Sequence, residues 1–275
     1  MKALIFLIGT MISAPLYAKV VKPSFYRITG GGIQKPSFLL GTIHGAVTLN
    51  EFSIDLSSFV KQSESVLTEI SLTGEEIQRY PLDPFSVIID HSPFNGSNLD
   101  SMTKSSLMQL GMPDYFVSRL ADQDCGVLGV VAGLNSPVLP LDLEIIKIAR
   151  AQALPVTPLD TVELRVAARA RNNQTEGTCS LRQIFEVYTP QQVLQAIQDQ
   201  MQQTANEYRL GIPDDDATLN SPIVTFRNHA WMIVISQEIR KKGTFIAVGQ
   251  AHLYGNDGLI ELLRKQGFSV NKVVP

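Results

Sequence analysis

Apolar and polar positions alternate over Phe25-Tyr26-Arg27-Ile28-Thr29 at the two-residue period of a strand. Gly30-Gly31-Gly32 then supplies a turn before a second apolar run over residues 38–43, so the pattern predicts a hairpin. Further on, Phe52, Leu56, Phe59 and Val60 recur at i, i+4, i+7 and i+8, one stripe of a helix. Residues 65–70 read as a strand again. Strand, helix and strand in succession make a βαβ unit, whose crossover sets its two strands parallel. Near the other end, Ser221-Pro222 reads as the N-cap and first position of a helix running to Lys241-Lys242-Gly243. A strand at 244–248, a helix over about 257–266 ended by Gly267, and a strand near 268–273 complete a second βαβ unit. The predicted class is therefore α/β, with a mixed, largely parallel central sheet and flanking helices. One βαβ unit near each end suggests a weak internal repeat and a pseudo-symmetric sheet.

Between these units the pattern is less regular. Residues 74–140 are rich in Pro, Gly, Ser and Asp, with short amphipathic patches at 105–111 and 115–120, and read as a helical cap or insertion. Asp142 opens a helix carrying Leu143, Ile145, Ile146 and Ile148, and residues 155–159 form a short strand. Asp160-Thr161-Val162-Glu163 resembles a capping box. Thr189-Pro190 begins a Gln-rich helix to about Leu210, and Asp214-Asp215-Asp216 reads as a solvated loop lacking the spacing of a calcium loop.

Composition changes this picture at the amino terminus. Lys2 followed by the apolar run Ala3 to Ile12 and the small residues before Ala18 reads as a signal peptide over 1–18, leaving a single α/β domain over 19–275. The apolar run is too short for the roughly 20 residues a membrane span needs. The later Val127 to Val138 stretch is interrupted by Gly129, Gly133, Asn135 and Pro137. A periplasmic or secreted chain with no span after cleavage is expected. In such an oxidising compartment Cys125 and Cys179 can pair, although two separate buried thiols fit their spacing as well. A formal charge of −3 gives no reason to expect nucleic acid as a partner.

The candidate chemistry lies at strand ends. Gly41-Thr42-Ile43-His44 and Gly249-Gln250-Ala251-His252 share one frame, and the chain has four His in all. Ligands of open α/β sheets bind beyond the carboxyl ends of the strands, where His44, Glu69 and His252 are all expected. Two imidazoles and a carboxylate can hold a divalent metal that activates water, or a His oriented by Glu69 can act as general base without one. Arg227 and Asn228, early in the helix that leads into the second His strand, are candidates for contact with an oxyanion or a substrate carboxylate. Asp142 and Asp160 are most simply N-caps and are also substrate-binding candidates. His91 and His229 show no partner pattern. No G-x-S-x-G, H-E-x-x-H, G-x-x-x-x-G-K or G-x-G-x-x-G motif is present.

As an ordered set these motifs resemble the TraB/PrgY/GumN superfamily, which includes the Tiki metalloproteases and is related to the erythromycin esterase and ChaN folds. The resemblance runs from about Phe25 to Val273. It rests on Leu40-Gly41-Thr42-Ile43-His44, Leu67-Thr68-Glu69, Leu141-Asp142-Leu143, Pro158-Leu159-Asp160-Thr161, Phe226-Arg227-Asn228 and Val248 to Gly255. Asp160 stands where the family usually has Glu, and Gln250 where a smaller residue is common. The resemblance implies a site built from both G-x-x-H motifs and the acidic residue and, in the Tiki branch, metal-dependent proteolysis of protein N-termini. The leading expectation is an exported metal-dependent peptidase using His44, Glu69 and His252 on a divalent ion such as Mn, Co or Zn, with a peptide or protein as substrate. A protein that sequesters peptides without cleaving them and a metal-free esterase of the erythromycin type are the alternatives.

Overall fold

Gly30, Gly31 and Gly32 all take positive φ (74°, 55° and 82°), a run that residues bearing a Cβ rarely adopt, and they fold the first two strands into the expected hairpin. The computed structural model describes residues 21–43, 47–80, 82–90, 96, 98–134, 138–176 and 179–274. The 1–18 segment, His44 and His91 lie outside the described residues. Six strands are β1 (Phe25–Gly30), β2 (Ser37–Thr42), β3 (Ser65–Thr68), β4 (Val156–Pro158), β5 (Thr244–Gly249) and β6 (Phe268–Lys272). They form one sheet in the order β4-β3-β5-β2-β1-β6. β2, β5, β3 and β4 are joined by parallel pairings, and β1 runs antiparallel to both its neighbours, β2 and β6.

Thirteen α-helices are found among the described residues. The first seven are α1 (Leu56–Gln62), α2 (Gly74–Arg79), α3 (Pro84–Asp90), α4 (Ser101–Gln109), α5 (Asp114–Val117), α6 (Val127–Leu134) and α7 (Leu141–Ala151). The others are α8 (Val162–Glu176), α9 (Leu181–Val187), α10 (Pro190–Leu210), α11 (Asp216–Asn220), α12 (Pro222–Lys241) and α13 (Leu259–Lys265). No described helix is long and apolar enough to cross a membrane.

The two βαβ units are interleaved in the sheet, so the suggested internal repeat does not divide it into two matching halves. β2 and β3 are parallel as expected, but β5 lies between them, in register with both. β6 does not pair with β5; it closes the far edge against β1. The reason is burial. Phe245, Ile246, Ala247 and Val248 are apolar without a break and fully buried, the signature of a strand covered on both faces, so β5 takes the centre. In β6 buried Phe268 and Val270 alternate with exposed Ser269 and Asn271, as suits an edge. Local pattern carries direction and crossover but not the order of strands.

Successive side chains divide the strands between two cores. Leu39, Leu67, Ile246 and Val248 face Trp231, Met232, Ile235 and Ile239 of α12 and Leu259 and Leu263 of α13. Phe38, Leu40, Val66, Phe245 and Ala247 face Leu56 and Val60 of α1, Leu141, Ile145 and Ala149 of α7, and Tyr208 of α10. The result is a helix–sheet–helix sandwich. α1 starts at Leu56 under Asp55, whose carboxylate accepts from the Ser58 N–H, so Phe52 lies before the helix rather than in it. A third apolar cluster joins α3 to α6 with α9 and the start of α10, so the helical insertion packs partly on later sequence.

Cys125 and Cys179 form a disulfide that closes a 54-residue separation between the approaches to α6 and α9. Closing a loop of that length stabilises the fold by about 4 kcal/mol in the chain-entropy account. Replacing both cysteines by Ser is expected to lower the urea midpoint by a matching amount; an unchanged midpoint contradicts this role for the bond.

Candidate functional site

β4, β3 and β5 are adjacent and parallel, so the residues leaving them emerge together. Glu69 follows β3, Asp160 follows β4 by way of Leu159, and β5 ends at Gly249 in a 3₁₀ turn over Gln250–His252. Backbone bonds from Leu159 N–H to Thr68 O (2.8 Å) and from Asp160 N–H to Glu69 O (3.0 Å) carry the pairing past the strands and fix the two acids side by side. α12 lies over this edge. Its helical spacing puts Arg227 and Trp231 one turn apart on the same face.

The Arg227 guanidinium is held between the two carboxylates. Nε donates to Asp160 Oδ1 at 3.1 Å, and Nη2 donates to Asp160 Oδ2 and to Glu69 Oε2, each at 2.6 Å. Trp231 Nε1 donates to Asp160 Oδ1 at 2.8 Å, and the Arg227 guanidinium stands 4.6 Å above the Trp231 ring. The Asp160 side chain is 1% exposed. Burial works against the charge of Arg227, but Glu69 and Asp160 outweigh it and raise its pKa, so the guanidinium stays charged.

His252 is fixed by Asn228. The Asn228 Nδ2 group donates to the carbonyls of His252 (3.1 Å) and Asp257 (2.8 Å), which turns its Oδ1 toward the imidazole. His252 Nδ1 lies 2.7 Å from that oxygen and must therefore carry the proton. Nε2 is left as the acceptor, 3.2 Å from Arg227 Nη1 and 3.9 Å from Glu69 Oε1. The ring is 4% exposed and lies 4.3 Å from that of Trp231. Burial pushes its pKa down to about 4; the Glu69 charge opposes the shift and the Arg227 charge adds to it. His252 is thus a neutral imidazole with its basic nitrogen turned to the two charged groups.

Glu69 Oε1 also accepts the Gly249 N–H at 2.6 Å. A Cβ at residue 249 would lie 2.9 Å from that oxygen, so the first residue of the second G-x-x-H must be glycine for the carboxylate to come this close.

Glu69, Arg227 and His252 line a cavity of about 270 Å³ with Thr42, Ile43, Thr204, Tyr208, Asp214, Gly249, Gln250 and Ala251. The structure thus brings together Glu69, His252, Arg227, Asn228 and Asp160 of the candidate set. Asp160 is no N-cap: Thr161 Oγ1 takes the Leu164 N–H, and the Asp160 carboxylate turns to Arg227. Nor does Asp142 cap a helix; it is buried within the first turn of α7 behind Pro140, is not among the residues lining the cavity, and its charge raises the Tyr80 pKa together with burial. His44 lies outside the described residues, next in sequence to Ile43, which follows β2. His229 pairs with Asp257 at 3.0 Å on the surface, beside a larger open hollow of about 440 Å³ between α12 and α13 that lacks a comparable buried charge array.

Sequence reasoning missed Trp231, Tyr208 and Asp214. Trp231 was open to discovery: a buried indole N–H needs an acceptor, and helical spacing puts it beside Arg227. Tyr208 Oη donates to Gly41 O at 2.6 Å, a contact across 167 residues with no local signal. In the Asp run, Asp215 caps α11 by accepting the Thr218 N–H, while Asp214 turns to the cavity.

Of the three candidate metal ligands, Glu69 and His252 stand together, and His44 lies outside the described residues. Among the described residues, no three His, Cys, Asp and Glu side chains group in a way that could hold a metal ion. His252 Nε2 and Glu69 supply two potential donors, but Arg227 is in hydrogen-bond contact with both, and its charge fills the cation position between them.

The sheet with its helical layers and its ionic strand-end site defines an α/β protein with a polar cleft at the carboxyl edge. The sequence model of the TraB/PrgY/gumN family matches residues 116–272, more than half of the chain, and the protein belongs to that family. The matched span holds Asp142, Asp160, Arg227, Asn228 and His252; His44 and Glu69 precede it. Comparison with curated proteins and with solved structures finds no match.

The buried imidazole has a consequence for stability. Between pH 6.5 and 4 an unfolded His is protonated while folded His252 is not, so the unfolded state binds more protons and stability falls as pH drops through that window. The loss is on the order of 3 kcal/mol. Urea unfolding measured from pH 7 to 4 is expected to show it in the wild type and to show a shallower decline in His252→Gln; superimposable pH profiles contradict the assignment.

Proposed function

We propose that this protein is a hydrolase that directs water onto an acyl carbon, with peptides as the first substrate class to test. The observation that supports it is the orientation of His252: Asn228 holds Nδ1–H, so the basic Nε2 faces a cavity in which an anion, Glu69, and a cation, Arg227, are already fixed. In this reading, water entering between Nη1 and Nε2 takes over their hydrogen bond and gives a proton to Nε2 as it attacks. Glu69 Oε1, 3.9 Å away, then offsets the charge of the imidazolium. Three of the five N–H groups of Arg227 serve the carboxylates, one Nη1 N–H holds the entering water, and the other is left for the developing oxyanion. Asp160 and Trp231 act as positioning residues, since they touch Arg227 and not the cavity's centre.

The Cys125–Cys179 bond supports an oxidising, extracytoplasmic location in line with the signal-like 1–18 segment. The peptide preference follows the resemblance to the Tiki branch. An esterase of the erythromycin type would use the same groups, so paired peptide and ester substrates separate the two readings.

Purified mature protein should cleave members of a peptide library, and His252→Ala and Glu69→Gln should each lower kcat/KM by about 10²–10⁴-fold. Turnover in the presence of chelator is expected. Turnover that instead requires added Mn, Co or Zn, and that His44→Ala abolishes, would move the reaction to an ion held by His44, Glu69 and His252. Activity unchanged in His252→Ala, or peptide binding with no product over long incubation, would overturn the hydrolase reading.

A further inference from the structure

Asp214 enters the cavity from the loop between α10 and α11, and the chemistry described above makes no use of it. The charged groups lining the cavity are Glu69, Arg227 and Asp214, with His252 neutral. Two cations, Arg227 and the nearby Arg165, face Glu69 and Asp160, so ionised Asp214 leaves an excess of one negative charge at the cavity. Its neighbour in the cavity lining is fixed: Ser24 Oγ donates to Gln250 Oε1 at 2.6 Å and Gln250 Nε2 donates to Ile212 O at 3.0 Å. Asp214 Oδ2 is nevertheless buried with no hydrogen-bond partner among the described residues. A carboxylate short of donors is stabilised by a ligand whose N–H groups reach it from the cavity side. Burial raises the pKa of Asp214; its own backbone N–H and the Gln250 amide oppose the shift, and the charges of Asp215 and Glu207 add to it.

We propose that Asp214 is a specificity-determining residue that receives a protonated primary amine of the substrate, so that the cavity selects acyl compounds carrying an ammonium group near the scissile carbonyl. Peptides with a free α-amine are the plainest members of that class. An ammonium suits the geometry better than a hard metal ion, which asks for about six or more oxygen donors. Here Gln250 Oε1 is already taken by Ser24, and Thr42, Thr204 and Tyr208 are the hydroxyl residues that share the cavity lining. The proposal rests on the hydrolase reading for the meaning of the bound ligand, but its first test does not require turnover.

The test is calorimetric titration of the full mature chain, at neutral pH, with trialanine amide bearing either a free or an acetylated amino terminus. The free-amine form is expected to bind at least about tenfold more tightly to the wild type, the size of one hydrogen-bonded charge pair. Asp214→Asn is expected to bind the two forms equally, and Asp214→Glu, which keeps the charge, to retain a preference. Thermal melts of each variant establish that it is folded; if Asp214→Asn is not, the wild-type pair of titrations still decides. Equal affinity in the wild type, no binding of the free-amine form, or a preference that survives in folded Asp214→Asn would each overturn the proposal. Following product in the same samples separates the two ideas. Discrimination without product sinks the hydrolase reading and keeps the amine site; product without discrimination does the reverse.

Discussion

A guanidinium buried between two carboxylates is stable only if all three groups are brought together and none is left alone. Arg227 meets this condition by taking Asp160 from the end of β4 and Glu69 from the end of β3, while α12 carries the cation across the sheet edge. Removing one member of such an array leaves an uncompensated charge in a low-dielectric setting, a cost of roughly 3–5 kcal/mol. Much of the local architecture answers to that constraint. The backbone pairing continues past β3 and β4 to set the acids in line, Trp231 donates to the oxygen that Arg227 Nε also uses, and residue 249 lacks a Cβ so that Glu69 can approach.

Burial sets the low pKa of His252, and two members of the array, Glu69 and Arg227, act on it in opposite directions. Its imidazole is buried against Trp231, turned by Asn228 and placed with Nε2 between a carboxylate and a guanidinium. On the proposed hydrolase reading, that nitrogen takes the proton of the attacking water beside a cation and an anion that are already in place. The cavity also carries Asp214, so charge is distributed along it rather than gathered at one point. The two proposals thus give the chemistry to Glu69 and the selection of substrate to Asp214.

Much of this was readable from the chain, and what was not has a physical reason. The hairpin, the Pro-started helices α10 and α12 and the strand-end positions of Glu69 and His252 follow from short-range rules of turn, cap and period. The position of β5 between β2 and β3 does not, because the order of strands is fixed by which one buries both faces, and that is a comparison across the whole sheet. Asp160 shows the same limit at one residue. Its neighbours look like a capping box, yet Thr161 serves as the cap, and a cation 67 residues away claims the carboxylate. Asp214 sits in a run whose middle member is an ordinary helix cap, and only the return of α10 to the cavity gives the first member a different environment.

The central claim is that Arg227 and its two acids act as one unit. A double-mutant cycle on folding stability, with Arg227→Met, Asp160→Asn and the pair together, tests it most directly. The account predicts a pronounced loss in each single variant and a double variant well short of their sum, with a coupling of about 2 kcal/mol or more. Additive losses would mean that the guanidinium and the carboxylate do not depend on each other, and would contradict the account.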